Sequence, residues 1–238
     1  MLILCFILIA SFTTTLMACS CKGFHPQEHF CQDDYVLRIK VVGSLKVDRS
    51  DETPYTPGIL RFEKIYYPIR IIKIYKGNIS GLTHLKPLRR HSNKVRYISR
   101  LYVPSRISSC SLSLTKTRIY VVMGQIHQGV LHHGLCNWRS TWKHITHAQL
   151  NGLKKHYAKG CECSIRTCPT REWCKKSQLP TECRWVSNDG FGVSQCVDRW
   201  QVCRYNRISR SCKWRQREHP NFKKCVNQVR WPKKLENS

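Results

Sequence analysis

Apolar and basic residues alternate along Leu37-Arg38-Ile39-Lys40-Val41, and again along Ile69-Arg70-Ile71 and on through Ile72-Lys73-Ile74-Tyr75. Successive side chains of a strand point to opposite faces, so a period of two predicts strands with one buried face and one solvated, basic face. Ile119-Tyr120-Val121-Val122-Met123 reads as a third strand and Arg61 to Tyr67 as a fourth, separated by turn-rich stretches such as Asp48 to Gly58. The first half is therefore expected to be mostly antiparallel β. One helix is well signalled. Thr146-His147-Ala148-Gln149 fits a capping box, with Ile145 and Leu150 placed as the hydrophobic staple. Leu150, Leu153 and Tyr157 follow at spacings of three and four, and Gly160 supplies a stop. Such a helix is expected to lie on a β barrel.

The start of the chain has a different pattern. Leu2 to Ile9 is an apolar run broken only by Cys5, followed by the mostly small and polar Ser11 to Thr15 and by Leu16-Met17-Ala18. The run is too short to span a bilayer, and Ala18 suits the position before a signal-peptidase cut. Residues 1–18 are expected to be a signal peptide and Cys19 the first residue of the mature chain. Leu16-Met17-Ala18-Cys19 also matches a lipobox, but the missing basic start and the cysteine content argue against acylation. No later stretch is long and apolar enough to cross a membrane, so no membrane span is expected and the mature chain is expected to be secreted.

Of 15 cysteines, Cys5 leaves with the signal peptide and an even 14 remain, which in a secreted chain reads by default as seven disulfides. Structural zinc is the rival reading where Cys161, Cys163 and Cys168 crowd together, but paired Cys-x-x-Cys knuckles are absent. Nine of the 14 fall after Gly160, where apolar sequence is sparse. That segment must be stapled and not core-driven, which divides the mature chain into residues 19–161 and a small disulfide-rich domain at 162–238.

Charge adds a partner class. Lys and Arg number 41 against 14 Asp and Glu, a net +27. The sharpest run holds Lys86, Arg89, Arg90, Lys94, Arg96, Arg100 and Arg106 without one acid. For an exported protein the polyanion met by such a surface is sulfated glycosaminoglycan, and the bland alternative is a solvated basic loop. No nucleic-acid module signature is present, so nucleic acid is not an expected partner. Asn78-Ile79-Ser80 is a glycosylation sequon.

Catalysis finds little support. His25-Pro26-Gln27-Glu28-His29 matches the H-x-x-E-H pattern of inverted zinc peptidases, which needs both histidines on one helical face. Pro26 puts His25 at or before the helix start and Cys21 and Cys31 tie the flanks down, so the pattern is read as scaffold. No nucleophile motif accompanies it.

In their order, Cys19-Ser20-Cys21, His25-Pro26-Gln27, Phe30-Cys31 and Val36 to Lys40 closely resemble the start of the tissue inhibitors of metalloproteinases. The resemblance continues through Ile74 to Gly77, Tyr102-Val103-Pro104-Ser105 with Cys110, Leu135-Cys136, Trp142 to Tyr157, Gly160-Cys161-Glu162-Cys163, Cys168-Pro169, Cys174, Cys183-Arg184-Trp185, Cys203 and Ser211 to Trp214. It implies a mainly β chain: a five-stranded OB-fold barrel of the netrin-like kind with flanking helices, then a small disulfide-rich C-terminal β domain. It also implies pairings Cys19–Cys110, Cys21–Cys136, Cys31–Cys161, Cys163–Cys212, Cys168–Cys174 and Cys183–Cys203. Cys196 and Cys225 fall outside the family's twelve and are expected to pair with each other by elimination.

By the same resemblance the chain is an inhibitor of secreted zinc metalloproteinases of the matrix type and not an enzyme. It has no cofactor of its own, and the α-amine and carbonyl of Cys19 would take the open position on the partner's zinc. Ser20 would enter the specificity pocket, Cys21 and Lys22 would run on like substrate, and Ile107, Ser108 and Ser109 would lie alongside. Lys22-Gly23 stands where relatives commonly carry a proline at the second position, and Ser109 replaces a usual aliphatic residue. Two rival functions remain: a netrin-like matrix-binding module without inhibition, and a metallopeptidase built on His25, Glu28 and His29.

Overall fold

The computed structural model describes residues 19, 21, 25–49, 64–88, 96–106, 108–168, 170–176, 179–186, 193–215 and 219–230. A short helix α1 (Pro26–Gln32) precedes β1 (Tyr35–Val41), β2 (Lys46–Val47), β3 (Ile65–Lys76), β4 (Lys86–Leu88), β5 (Arg96–Val103), β6 (Ile119–His127), β7 (Val130–His132) and β8 (Arg139–Thr141). Five of these close a barrel. β1 pairs antiparallel with β3 and β6, β3 with β5, and β6 with β7, and the parallel pair β5–β7 completes the ring. The alternating residues fall as their pattern dictates as far as Ile71; beyond it the expected buried face is not kept, with Ile72 half-buried and Ile74 exposed. Leu37, Ile39 and Val41, Ile69 and Ile71, Leu101, Val122 and Leu131 fill the interior. Gly124 of β6 admits the Tyr35 ring, whose hydroxyl donates to the His132 carbonyl at 2.9 Å; a Cβ there would stand 2.3 Å from that carbonyl.

The expected strand from Arg61 to Tyr67 is not separate. Residues 61–63 lie outside the described residues, and Ile65 to Tyr67 run unbroken through Pro68 into the predicted Ile69 to Tyr75 strand. Within a strand a residue's N–H and C=O point to one side, so the donor Pro68 lacks would face β1. The β1 ladder ends there: Val41 pairs with Ile69, and only the Pro68 carbonyl is used, by Val42 N–H at 2.9 Å. The proline thus sits at a place in β3 where a missing donor costs little.

The predicted capping box is present at α2 (His147–Asn151): Gln149 N–H donates to Thr146 Oγ1 and Thr146 N–H donates to Gln149 Oε1. Beyond Asn151 the helix departs from the regular α spacing and widens into a π turn over Gly152–His156, with Tyr157 N–H donating to the Gly152 carbonyl. The Tyr157 ring lies against Gly152, where a Cβ would come within 2.4 Å of it. Leu153 and Tyr157 pack with Phe30, Val36, Val121 and Met123 on the outside of the barrel.

The C-terminal half is built from two two-stranded sheets, β9 (Ser164–Cys168) parallel to β10 (Glu182–Val186) and β11 (Val202–Asn206) antiparallel to β12 (Ser211–Arg215). Helices α3 (Arg171–Lys176), α4 (Val193–Trp200) and α5 (Pro220–Arg230) surround them, so helix accompanies β in this small domain. Its core is Cys163, Ile165, Cys183, Trp185, Cys203, Cys212 and Trp214. Seven disulfides join Cys19–Cys110, Cys21–Cys136, Cys31–Cys161, Cys163–Cys212, Cys168–Cys174, Cys183–Cys203 and Cys196–Cys225. This is the chemistry of an oxidising compartment, and the described residues hold no helix long and apolar enough to cross a membrane.

The halves are joined by more than the chain. Val202 belongs to the Leu153–Tyr157 cluster, and the Gln27 side chain works as a bolt. Its Nε2 donates to the carbonyls of Gly160 at 3.1 Å and Cys203 at 2.8 Å, and its Oε1 accepts from Cys203 N–H at 3.0 Å. Gly160 is therefore more than a helix stop: a Cβ there would stand 2.3 Å from the Cys203 carbonyl oxygen and 2.4 Å from Gln27 Nε2.

Candidate functional site

Two bridges define the region around the expected mature terminus. Cys19 is tied to the segment after β5 through Cys110, and Cys21 to the segment after β7 through Cys136, with Cα separations of 5.2 and 5.1 Å. The sulfurs of Cys19, Cys21 and Cys136 all lie within 4.8 Å of one another, so the two staples form one ridge. Cys19 is half-buried while Cys21, Cys136 and Ser109 are exposed.

Local chemistry holds both supporting segments. In the first, Ser108 N–H donates to the Ser105 carbonyl, Ser111 N–H to the Ser108 carbonyl, and Cys110 N–H to Ser108 Oγ at 3.1 Å. Just beyond, Leu112 and Leu114 enter the barrel core, and the hydroxyls of Tyr67 and Tyr120 accept from Leu114 and Thr115 N–H. In the second, Asn137 Oδ1 accepts from Gly134 N–H at 2.7 Å and its Nδ2 donates to Asp33. The Asp33 carboxylate also accepts from Gln125 and pairs with His29 at 3.2 Å. His133 anchors the segment start by donating Nδ1–H to the Met123 carbonyl at 2.8 Å, and burial pulls its pKa down to about 4, keeping the ring neutral.

Of the residues assigned to the wedge, Cys19, Cys21, Ser108 and Ser109 are gathered on this ridge by the bridges, whereas Ser20, Lys22 and Ile107 lie outside the described residues. Every described cysteine sulfur is in a disulfide, which removes both zinc ligation and thiol chemistry from Cys161, Cys163 and Cys168.

His25, Glu28 and His29 form no metal site among the described residues. His25 is fully buried among the rings of Tyr157, Trp185 and Trp214. Its Nδ1 accepts from Gln27 N–H, capping α1, and its Nε2–H donates to the Val197 carbonyl at 3.3 Å. Desolvation pushes its pKa down to about 3. The His25-Pro26-Gln27 motif is thus the plug that seats the C-terminal half, with His29 turned instead to Asp33.

The basic run is not one solvated insert. Lys86 and Arg96 lie on β4 and β5, while Arg89, Arg90 and Lys94 lie outside the described residues. Arg100 is already engaged: it pairs with the buried Asp48 carboxylate at 3.1 Å, stacks 4.5 Å over Tyr66 and donates to Tyr102, whose hydroxyl in turn donates to Asp48. Registers Lys40↔Arg70, Arg70↔Ile98 and Lys86↔Ile98 place Lys40, Arg70 and Lys86 in one row on the barrel's outer face. Asn78 is exposed, its Oδ1 accepting from Ser80 N–H and Oγ.

Sequence patterns carried no signal for Gln27 as a bolt, for Asp33 as a hub, or for Asp198. The last sits on α4 against the barrel half with its pKa pushed up to about 8 by burial. Each depends on neighbours far away in the chain.

The profile of the family described as tissue inhibitor of metalloproteinase matches residues 17–214, most of the chain. The chain belongs to that family. Metalloproteinase inhibitor 3 of Gallus gallus is 30% identical over 212 residues, covering 88% of this chain and 87% of the relative. Metalloproteinase inhibitor 4 of Mus musculus is 32% identical over 172 residues, 71% and 67% of the two chains. Metalloproteinase inhibitor 2 of Homo sapiens is 30% identical over 183 residues, 76% and 73%. The tissue inhibitors of metalloproteinases are inhibitors and not enzymes. Residues 215–238, with α5 and the Cys225 end of the Cys196 bridge, lie beyond the family match.

Proposed function

We propose that this chain is a secreted inhibitor of zinc metalloproteinases whose ridge at Cys19 acts as a wedge in the protease active site. The observation that carries the reading is the pair of bridges at Cys19 and Cys21, which fix both ends of the tripeptide to the barrel. Cleavage after Ala18 frees the Cys19 α-amine. That amine and the Cys19 carbonyl then occupy the position where the protease's zinc holds its attacking water. α-Amines titrate near pH ~8, so the unprotonated form needed for coordination is accessible at neutral pH. Preorganisation does the rest. The Cys19–Cys110 bridge spans 91 residues, and closing a loop of that size stabilises by roughly 4 to 5 kcal/mol in the chain-entropy model. A wedge already ordered loses little entropy on binding. In this reading Ser20 enters the protease's specificity pocket, Cys21 and Lys22 run on like substrate residues, and Ile107, Ser108 and Ser109 lie alongside.

Amino-terminal sequencing of the secreted protein, followed by titration against the catalytic domain of a matrix-type metalloproteinase, tests this reading. A first residue at Cys19 and stoichiometric inhibition are expected; a native terminus elsewhere with full inhibition overturns the wedge.

A second reading, compatible with the first, is adhesion to sulfated glycosaminoglycans. The row of Lys40, Arg70 and Lys86 favours it, extended along β5 by Arg96, and Arg89, Arg90 and Lys94 lie between these strands in the sequence. Replacing Lys40, Lys86, Arg89, Arg90 and Lys94 with glutamine should lower the salt needed for elution from heparin more than from a sulfonate resin. Equal shifts on both resins leave only bulk charge.

A further inference from the structure

A second basic run lies in the C-terminal half. From Arg199 to Arg217 the chain carries seven Lys and Arg and no Asp or Glu. Its centre is the β11–β12 hairpin. Cys203, Tyr205, Cys212 and Trp214 turn into the core of that half, and alternation sends Arg204 and Lys213 to the outer face. These two stand directly opposite one another in the ladder, and like charges so placed repel. An anion laid across them relieves that cost.

The tip of the hairpin selects the kind of anion. Ile208, in the turn between the strands, is 97% exposed, the most exposed of the large apolar side chains among the described residues, and it stands between the exposed Arg207 and Arg210. The turn is held in one shape: Ile208 N–H donates to Asn206 Oδ1 at 3.0 Å, the Ser209 and Ser211 hydroxyls are hydrogen-bonded at 2.9 Å, and Arg210 takes a left-handed φ of 45°. Leu179, 54% exposed, is placed beside the start of β12, because the carbonyl of the next residue, Pro180, accepts from Cys212 N–H at 2.6 Å. The acid that opens β10, Glu182, is buried and held by Arg166 and Arg184, so it does not oppose the cations. β11 starts at the joint, where Gln27 bonds Cys203, and Arg207 lies four residues further on, roughly 13 Å at ~3.3 Å per residue, so the tip projects away from the barrel half. A sulfated polymer has no use for an exposed isoleucine. A lipid–water interface does: the apolar side chain leaves water while the flanking guanidinium groups stay with the phosphates.

We propose that the tip of the β11–β12 hairpin docks this protein on an anionic lipid surface. Ile208 enters the interface with Leu179 at its margin, Arg207 and Arg210 bind the phosphates around it, and Arg204 and Lys213 extend the contact along the outer face of the hairpin. The turn is already ordered, so little conformational freedom is lost on docking. Nothing in this contact depends on the Cys19 wedge.

The test uses the full secreted protein and co-sedimentation at physiological salt with vesicles of phosphatidylcholine alone or with phosphatidylserine as one lipid in three. Binding is expected to the anionic vesicles and not to the neutral ones. A chain of net +27 also meets anionic vesicles through bulk charge, so the deciding variant leaves the charge alone. Ile208→Ser should weaken vesicle binding about fivefold and leave the salt needed for elution from heparin unchanged. Ile208→Trp should tighten vesicle binding, since tryptophan favours the interface. Arg207→Gln and Arg210→Gln should each weaken it about fivefold, the scale for one cation at an anionic surface. Ile208 is exposed in a turn and outside the ridge, so the Ile208→Ser protein should keep its melting temperature and its inhibition of a metalloproteinase. Equal vesicle binding by the Ile208→Ser and unaltered proteins leaves only bulk charge and overturns the proposal. Absence of binding to the anionic vesicles overturns it as well. So does a hairpin whose Arg207→Gln and Arg210→Gln variants lose heparin affinity without losing vesicle binding, which would give it to sulfated polymers.

Discussion

The barrel and the C-terminal half solve the same problem with different chemistry. The barrel core is built from Tyr, Leu, Ile and Val side chains and contains no cysteine, whereas four of the seven buried residues in the C-terminal cluster are cysteines. Where β strands are long enough to alternate, burial of apolar area supplies the driving force. Where they are five residues long and paired only in twos, cross-links must supply it. The difference assigns roles. The barrel supports the ridge, and the C-terminal half is a stapled cap seated by His25 and Gln27 of the N-terminal segment.

Breaking one staple should expose the contrast most strongly. Replacing Cys163 and Cys212 with serine removes a bridge from the cap's core and should cost about 2 to 5 kcal/mol. Hydrogen exchange should then accelerate in β9 to β12 while amides of β1, β3 and β6 stay protected. Equal acceleration in both halves would mean that they fold as one unit.

A smaller effect is expected at the joint. Gln27→Ala leaves the carbonyls of Gly160 and Cys203 and the Cys203 N–H without their partner, at about 1 to 3 kcal/mol for a buried group left unpaired. The melting temperature should fall, and exchange should rise in β11 before it rises in the barrel. Gly160→Ala should act in the same direction through the clash its Cβ creates.

Titration of the buried groups should sharpen the comparison further, because the histidines and Asp198 shift stability with pH in opposite directions. His25, with its pKa pushed to about 3, and His133, at about 4, stay neutral in the folded chain while the unfolded chain takes up protons near pH 6.5. Stability from these groups is lost as pH falls from about 6.5 toward 4. Asp198, raised to about 8, stays protonated in the fold while the unfolded chain ionises near pH 4, so its contribution is lost as pH rises from about 4 through 8. Asp198→Asn should therefore raise the melting temperature at pH 8 by at least about 2 to 4 °C, the scale of 1 kcal/mol in a chain of this size, with a smaller gain at pH 5. A gain independent of pH would remove the buried carboxyl as its cause.

The smallest effect on stability is expected at Ser20, where Ser20→Gly should weaken inhibition and leave the melting temperature nearly unchanged. A lower melting temperature with intact inhibition would make Ser20 part of the scaffold.

What could be read in the sequence follows the same division. Leu37, Ile39 and Val41, and Ile69 and Ile71, announced the barrel because their period of two is a local property that the closed sheet preserves. Thr146 and Gln149 announced a helix start because a capping box is complete within four residues. The π turn after Asn151 was hidden, since it accompanies the packing of the Tyr157 ring on Gly152. So was the continuity of β3 through Pro68, which depends on where the β1 ladder ends. At the joint, Gln27 meets residues 133 and 176 positions away, and no periodicity reports a contact of that range. The order of cysteines carried the family resemblance, but the closeness of the Cys19, Cys21 and Cys136 sulfurs is a property of the folded barrel alone.

The claim that rests most heavily on the ridge is that a free Cys19 α-amine, held in place by the Cys110 bridge, is what disables the protease. The direct measurement compares two secreted proteins, one beginning at Cys19 and one carrying a single alanine before it, in titrations against the same matrix-type metalloproteinase. Both should melt at the same temperature, since the added residue lies outside the barrel and the cap. Inhibition should fall by at least about a hundredfold in the extended form, corresponding to the loss of roughly 3 kcal/mol of binding. Equal inhibition by the two proteins would contradict the account.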